Sequence, residues 1–177
     1  MWLSRVGIGT ERVEAGARGR ATLPSTMLKT GDTAPDLTTP GGTLRELLRT
    51  GPVVVYFYPA DFTPVCTKQA CMVRDLHQDL AARGVTVVGV SPQGTASHER
   101  FRAAHSLPFH LVADGDGSVA KAWGVRGIFG LPIPFGVRRV TFLVGRDGRI
   151  ADVARGELGL SGHERLLKAA ASGAASA

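Results

Sequence analysis

The chain has little cysteine, few aromatic residues and no long apolar run. Two cysteines in 177 residues are too few to staple a secreted scaffold, and a chain of this length buries about two-thirds of its unfolded surface without staples. The pair fits a reducing compartment in which a thiol does chemistry, so a cytoplasmic protein is expected. No stretch approaches the roughly 20 apolar residues of a membrane span, so no membrane partner is expected. The five histidines, at 77, 98, 105, 110 and 163, show no His-x-x-x-His and no pairing with cysteine at metal spacing. Asp114-Gly115-Asp116-Gly117 opens like a calcium loop, but Val119 stands where that loop needs glycine and Val125 where it needs glutamate. Neither a metal nor a cofactor is expected. The net charge is +6, yet Lys and Arg are spread among acids with no patch or reading motif, which argues against nucleic acid.

What the chain does have is concentrated in one stretch. Val53-Val54-Val55-Tyr56-Phe57-Tyr58 is a run of β-branched and aromatic residues without polar alternation, which predicts a strand buried on both faces. Pro59 and Pro64 interrupt it, and from Val65 to about Ala82 apolar residues recur at helical spacing. Thr63 followed by Pro64 marks the helix start, with Thr as N-cap and Pro at the first helical position. Cys66 then lies in the first turn, where unpaired N–H groups and the helix dipole favour an anion.

The ends differ from the middle. Residues 1–26 carry Arg5, Arg12, Arg18 and Arg20 among Gly and Ala without periodicity, and are expected to form a disordered extension ahead of Met27, itself a plausible alternative start. They lack the apolar core of a signal peptide, and Glu11 and Glu14 argue against a transit peptide. One domain is expected over 27–172, with 173–177 a frayed tail. Within it, Pro40-Gly41-Gly42 reads as a turn and Thr43-Leu44-Arg45-Glu46 as a capping box opening a helix to Arg49. A second β-rich run at 85–90 completes a β-α-β unit with parallel strands. A helix at 97–105, a strand at 109–112, a helix at 118–123 and a long loop at 124–136 follow. Strands at 139–144 and 149–154 form a hairpin around Gly145-Arg146-Asp147-Gly148, and a helix at 161–171 closes the chain. This order predicts an α/β, thioredoxin-like fold with a central mixed sheet flanked by helices.

Pro59-x-x-x-Thr63-x-x-Cys66 resembles the signature of the peroxiredoxins. A second cysteine five positions on, Cys71, resembles the PrxQ or bacterioferritin comigratory protein branch of that AhpC/TSA-like family. The likeness covers about residues 29 to 168, including Gly-Asp-x-Ala-Pro-Asp at 31–36, Tyr-Phe-Tyr-Pro at 56–59, Val-Gly-Val-Ser-Pro at 88–92 and Arg-x-Thr-Phe-Leu-Val at 139–144. The resemblance implies a thiol peroxidase acting on hydrogen peroxide or organic hydroperoxides. It makes Cys66 the peroxidatic thiolate, has Thr63 and Pro59 shape its pocket, and puts Arg139 beside the sulfur. Arg138 is expected to point away, since side chains alternate along a strand. A thioredoxin or similar thiol reductant and a monomer or weak homodimer are implied as well.

The chemistry can be weighed from the residues. A thiolate attacks an O–O bond, and a free cysteine with pKa about 8.5 is only about 3% ionised at pH 7. A cysteine lowered to about 6 would be roughly 90% thiolate, a gain of about thirty-fold. That is too little for an efficient peroxidase, so the rest must come from donors to the transition state: Arg139, the Thr63 hydroxyl and the first-turn N–H groups. The product is a sulfenic acid on Cys66. In an intact helix, residues five apart lie about 7.5 Å apart along the axis and point about 140° apart, whereas a disulfide needs Cα atoms within roughly 7 Å. Cys71 is therefore expected to meet the sulfenic acid only after the segment from about Phe62 to Met72 unwinds. Other readings stay open. A thioredoxin-type disulfide reductase would want Cys-x-x-Cys, and a peroxide sensor passing its disulfide to a partner would use the same residues. Individually, a helical cysteine is often a small core residue, Thr63 can serve only as a cap, and Arg139 can belong to a surface ion pair.

Overall fold

A computed structural model describes residues 27–127 and 136–174. The expectations for residues 1–26, for the apolar stretch 128–135 and for the end of the tail at 175–177 lie outside the described residues. In chain order the elements are β1 (Thr38–Thr39), β2 (Gly42–Thr43), α1 (Leu44–Leu47), β3 (Val53–Phe57), α2 (Pro64–Asp75), α3 (His77–Ala82) and β4 (Thr86–Ser91). They continue with α4 (Thr95–His105), β5 (His110–Ala113), α5 (Ser118–Ala122), β6 (Val140–Val144), β7 (Ile150–Arg155) and α6 (Ser161–Ser172).

Five strands form one mixed sheet in the order β5-β4-β3-β6-β7. β3, β4 and β5 run parallel, while β6 pairs antiparallel with both β3 and β7. This is the expected thioredoxin-like arrangement, with β3 at its centre. All five β3 residues are buried, because each face of the sheet is covered. Val53, Val55 and Phe57 enter a core with Leu44 of α1 and Trp123, whereas Val54 and Tyr56 enter a second core with residues of α2, α3, α4 and α6. Alternation along a strand divides them this way. Burying each such side chain is worth about 1.5–3 kcal/mol, which explains why the run tolerates no polar residue.

Gly89 lies opposite Tyr56 across the β3–β4 pairing. A Cβ there would come within 2.6 Å of the Leu111 side chain and 2.8 Å of the Tyr56 ring. The glycine thus leaves room for the Tyr56 ring in the core that also holds Cys66.

Several local expectations are met in detail and others are refined. The capping box forms: Glu46 N–H donates to Thr43 Oγ1 at 3.2 Å, and Thr43 N–H donates to Glu46 Oε2 at 2.8 Å. The turn at 40–42 proves to join a short β1–β2 hairpin. The helix expected from Val65 to Ala82 divides at Leu76, whose φ −92° and ψ −2° depart from helical values between α2 and α3. The long loop after Trp123 is closed at its base by an antiparallel bridge between Arg126 and Val137, with Gly127 N–H donating to the Gly136 carbonyl at 2.7 Å. Asp114 is a helix cap, its carboxylate accepting from the N–H groups of Val119 at 3.0 Å and Ala120 at 2.8 Å. Among the described residues no group of three His, Cys, Asp or Glu is placed to hold a metal, and no helix is long and apolar enough to cross a membrane.

Candidate active site

Helix α2 buries Cys66, Gln69, Ala70 and Val73, the i, i+3, i+4, i+7 stripe of one helical face. Cys66 is only 2% exposed. Cys71 lies off that stripe and is partly exposed, and both are free thiols. Thr63 occupies the N-cap position with extended backbone, φ −79° and ψ 148°, but caps nothing with its side chain. Its hydroxyl instead donates to the Ala60 carbonyl at 3.1 Å, which corrects the expected cap. The turn from Pro59 to Thr63 folds tightly enough that its own carbonyl reaches the hydroxyl first. That leaves the Thr63 oxygen as an acceptor rather than a donor toward an incoming group. The first helical bond runs from Thr67 N–H to the Thr63 carbonyl at 2.8 Å, so the N–H groups of Val65 and Cys66 have no intrahelical partner.

The turn ahead of the helix is under local strain. Phe62 sits at φ +60°, a left-handed conformation that costs a non-glycine residue roughly 1–2 kcal/mol. Its ring is half exposed yet packs edge-on against Phe101 of α4, with centroids 5.1 Å apart.

Arg139, immediately before β6, is 3% exposed and points into the same core as Cys66. Its Nη2 donates to Cys66 Sγ at 3.2 Å, its Nη1 to Gln69 Oε1 at 2.5 Å and its Nε to the Glu157 carbonyl at 2.8 Å. Its backbone N–H donates to Glu157 Oε2 at 3.2 Å. The guanidinium is a rigid fork, so three acceptors on two different elements fix its plane and aim one N–H at the sulfur. This is no surface ion pair. Arg138 makes no bond to the thiol, and its buried Nε has no hydrogen-bond partner.

The AhpC/TSA family profile matches residues 30–153. The chain belongs to the AhpC/TSA family. The solved structure of peroxidoxin BcpB from Mycobacterium tuberculosis is similar with a TM-score of 0.72 and 35% identity, over 82% of this chain and 97% of that one. The bacterioferritin comigratory protein of Xanthomonas campestris, solved in a study of its alkyl peroxide reduction activity, gives a TM-score of 0.69 and 29% identity, over 84% of this chain and 98% of that one. Chloroplastic peroxiredoxin Q of rice (Oryza sativa subsp. japonica) is 39% identical over 144 residues, covering 73% of this chain and 64% of that protein.

This peroxiredoxin thus brings Cys66 and Arg139 together, with Pro59 and Thr63 in the turn beside them, and leaves Cys71 on the same helix but facing elsewhere. Sequence reasoning missed Gln69 and Glu157. Gln69 could have been found, because it lies three residues after Cys66 and so shares its face; Glu157 could not, since only the chain's path after β7 brings it to Arg139. Two phenols flank the site. Burial pushes both Tyr56 and Tyr58 above the ordinary phenol range, and the nearby Asp61 carboxylate and Cys66 sulfur raise Tyr56 further while Arg139 opposes. Both therefore stay neutral.

Proposed function

We propose that this peroxiredoxin is a thiol peroxidase that reduces hydrogen peroxide or organic hydroperoxides through Cys66, resolves the product with Cys71 and is recycled by a thioredoxin-type reductant. The observation that carries the reading is the Arg139 guanidinium 3.2 Å from Cys66 Sγ at the first turn of α2. The alkyl peroxide reduction named for the Xanthomonas campestris relative supports the organic hydroperoxide arm. The Cys66 thiolate attacks the near oxygen of the peroxide, the O–O bond breaks, and the departing alkoxide or hydroxide takes up a proton as alcohol or water. Cys66 is oxidised by two electrons to the sulfenic acid. Negative charge passes from sulfur to the leaving oxygen, and Arg139 with the unpaired N–H groups of α2 is positioned to stabilise it throughout. Pro59 shields the pocket, and the Thr63 oxygen accepts the peroxide's O–H.

The second half-reaction needs motion. Both cysteines lie within the continuous helix α2, so the segment from about Phe62 to Met72 unwinds before Cys71 attacks the sulfenic sulfur and expels water. A dithiol reductant then opens the disulfide by exchange. Residues 27–172 act as the catalytic unit, as a monomer or weak homodimer in the cytoplasm. Peroxide consumption coupled to a thioredoxin system tests the scheme. Cys66→Ser should be inactive, and Cys71→Ser should consume one equivalent of peroxide without thioredoxin-linked turnover. Full activity in Cys66→Ser, or a sulfinic Cys66 with no 66–71 bridge in mass spectra of peroxide-treated protein, would refute it. A peroxide sensor uses the same residues, and steady turnover with thioredoxin separates the two.

A further inference from the structure

Beneath the turn that carries Phe62 and Thr63 lies a buried ionic cluster that the peroxidase reaction does not use. Asp61 and His98 of α4 pair at 2.9 Å, with side chains 1% and 3% exposed. Asp61 Oδ1 accepts the Tyr58 hydroxyl at 2.8 Å, and its Oδ2 accepts the Ser97 hydroxyl at 2.7 Å. The Asp61 N–H donates to Gln93 Oε1 at 3.2 Å. His98 Nδ1 faces the carboxylate, while its Nε2 faces the Val112 carbonyl of β5 at 3.3 Å. Both ring nitrogens thus meet acceptors, and only the doubly protonated ring satisfies both. The carboxylate also lies over the first turn of α4, where the helix dipole favours an anion.

The cluster reaches the surroundings of the thiol through Tyr58, whose hydroxyl Asp61 accepts at 2.8 Å and whose ring stacks on Tyr56 with centroids 5.4 Å apart, both rings packing in the core that holds Cys66. An uncompensated carboxylate in that core would oppose formation of a thiolate there. We infer that His98 is a positioning residue of the peroxidase: its imidazolium cancels the Asp61 carboxylate that Tyr58 ties to the core around the thiol, and it pins the strained 59–63 turn to α4. Burial pushes the Asp61 carboxyl up, but hydrogen bonds from His98, Ser97 and Tyr58, with the His98 charge, outweigh it and hold the group below its ordinary value. Asp61 is therefore ionised and needs its counter-charge.

The inference rests on the peroxidase reading, and its test has a readout that does not. In a Cys71→Ser background, the Cys66 thiolate is followed by absorbance at 240 nm against pH and by its rate of alkylation with iodoacetamide. The groups facing His98 in that titration are Asp61 and Tyr58, with the Val112 carbonyl, and Ser97 faces Asp61; Arg139 faces Cys66, and Tyr56 packs in the same core. His98→Gln leaves the carboxylate without its counter-charge, so the thiolate should appear about one pH unit higher, and alkylation measured below the wild-type onset should slow about tenfold. Asp61→Asn should not raise the onset. The double variant Asp61→Asn/His98→Gln removes both charges and should return it to the wild-type position. A role confined to folding would leave the double variant no better than His98→Gln, since nothing restores the lost bonds. An unshifted onset in His98→Gln, or no recovery in the double variant, overturns the inference. Absence of peroxide consumption by the wild type would instead overturn the peroxidase reading, while the alkylation data would still decide the role of His98.

Discussion

Replacing Arg139 with methionine tests the centre of the site, because the side chain keeps an unbranched apolar stem and loses both its charge and its donors. At 3.2 Å from the sulfur, a unit charge at an effective dielectric of 20 interacts with a thiolate by about 5 kcal/mol. Mutation of single donors to developing oxyanions elsewhere costs about 10²–10³ in rate, or about 2.7–4 kcal/mol, so a loss of about a thousandfold in kcat/KM for peroxide is expected. Stability should fall too. Gln69 Oε1 and the Glu157 carbonyl lose their donor, and buried acceptors left unpaired cost about 1–3 kcal/mol each. A total of about 3 kcal/mol corresponds to a Tm lower by about 6–12 °C for a chain of this size. Arg139→Lys keeps the charge but lacks the planar fork that reaches Cys66, Gln69 and Glu157 together, so a loss of about tenfold is expected. Single-turnover stopped-flow with excess peroxide, reading the remaining thiol, measures the rate, and calorimetry checks folding. A folded Arg139→Met protein within about fivefold of the wild-type rate would refute the assigned role.

Further predictions follow from the same geometry. Gln69→Ala removes the acceptor that aims Arg139 Nη1, and a lost bond to a charged donor, worth about 1.5–3 kcal/mol, should lower kcat/KM by about ten- to a hundredfold. Rescue by Gln69→Glu, which restores an acceptor, separates aiming from simple loss of packing. Gly89→Ala places a methyl 2.6 Å from Leu111 and 2.8 Å from Tyr56, and should destabilise by about 1–3 kcal/mol in denaturant titration through overpacking. Burial holds the His163 ring below its ordinary value, opposed by its bond to the Gly156 carbonyl and reinforced by Arg139. The unfolded chain then binds a proton that the folded one does not. The stability owed to the neutral ring is therefore present above about pH 6.5 and lost as pH falls below it. His163→Gln should flatten the decline of Tm between about pH 7 and about pH 5, and an unchanged slope would count against this account.

The sequence by itself determined the elements and the reactive position. The apolar run at 53–58 pointed to an interior strand and Thr63-Pro64 to a helix start, which together placed Cys66 in a first turn. The spacing of Cys66 and Cys71 within one helix likewise stood in the sequence, because helical geometry turns five residues into a separation that no disulfide spans. These are local matters, set by periodicity and by what proline allows. Tertiary structure decided everything that depends on two distant segments meeting. It set the plane of the Arg139 fork through Gln69 and Glu157, turned the Thr63 hydroxyl onto Ala60 rather than the helix, divided the long helix at Leu76, and buried Asp61 against His98. A sequence shows which residues carry charge or a hydroxyl. Which acceptor each one reaches depends on how the sheet stacks its helices, and in this protein that stacking aims an arginine at the thiol and buries an Asp61–His98 pair at the turn before its helix.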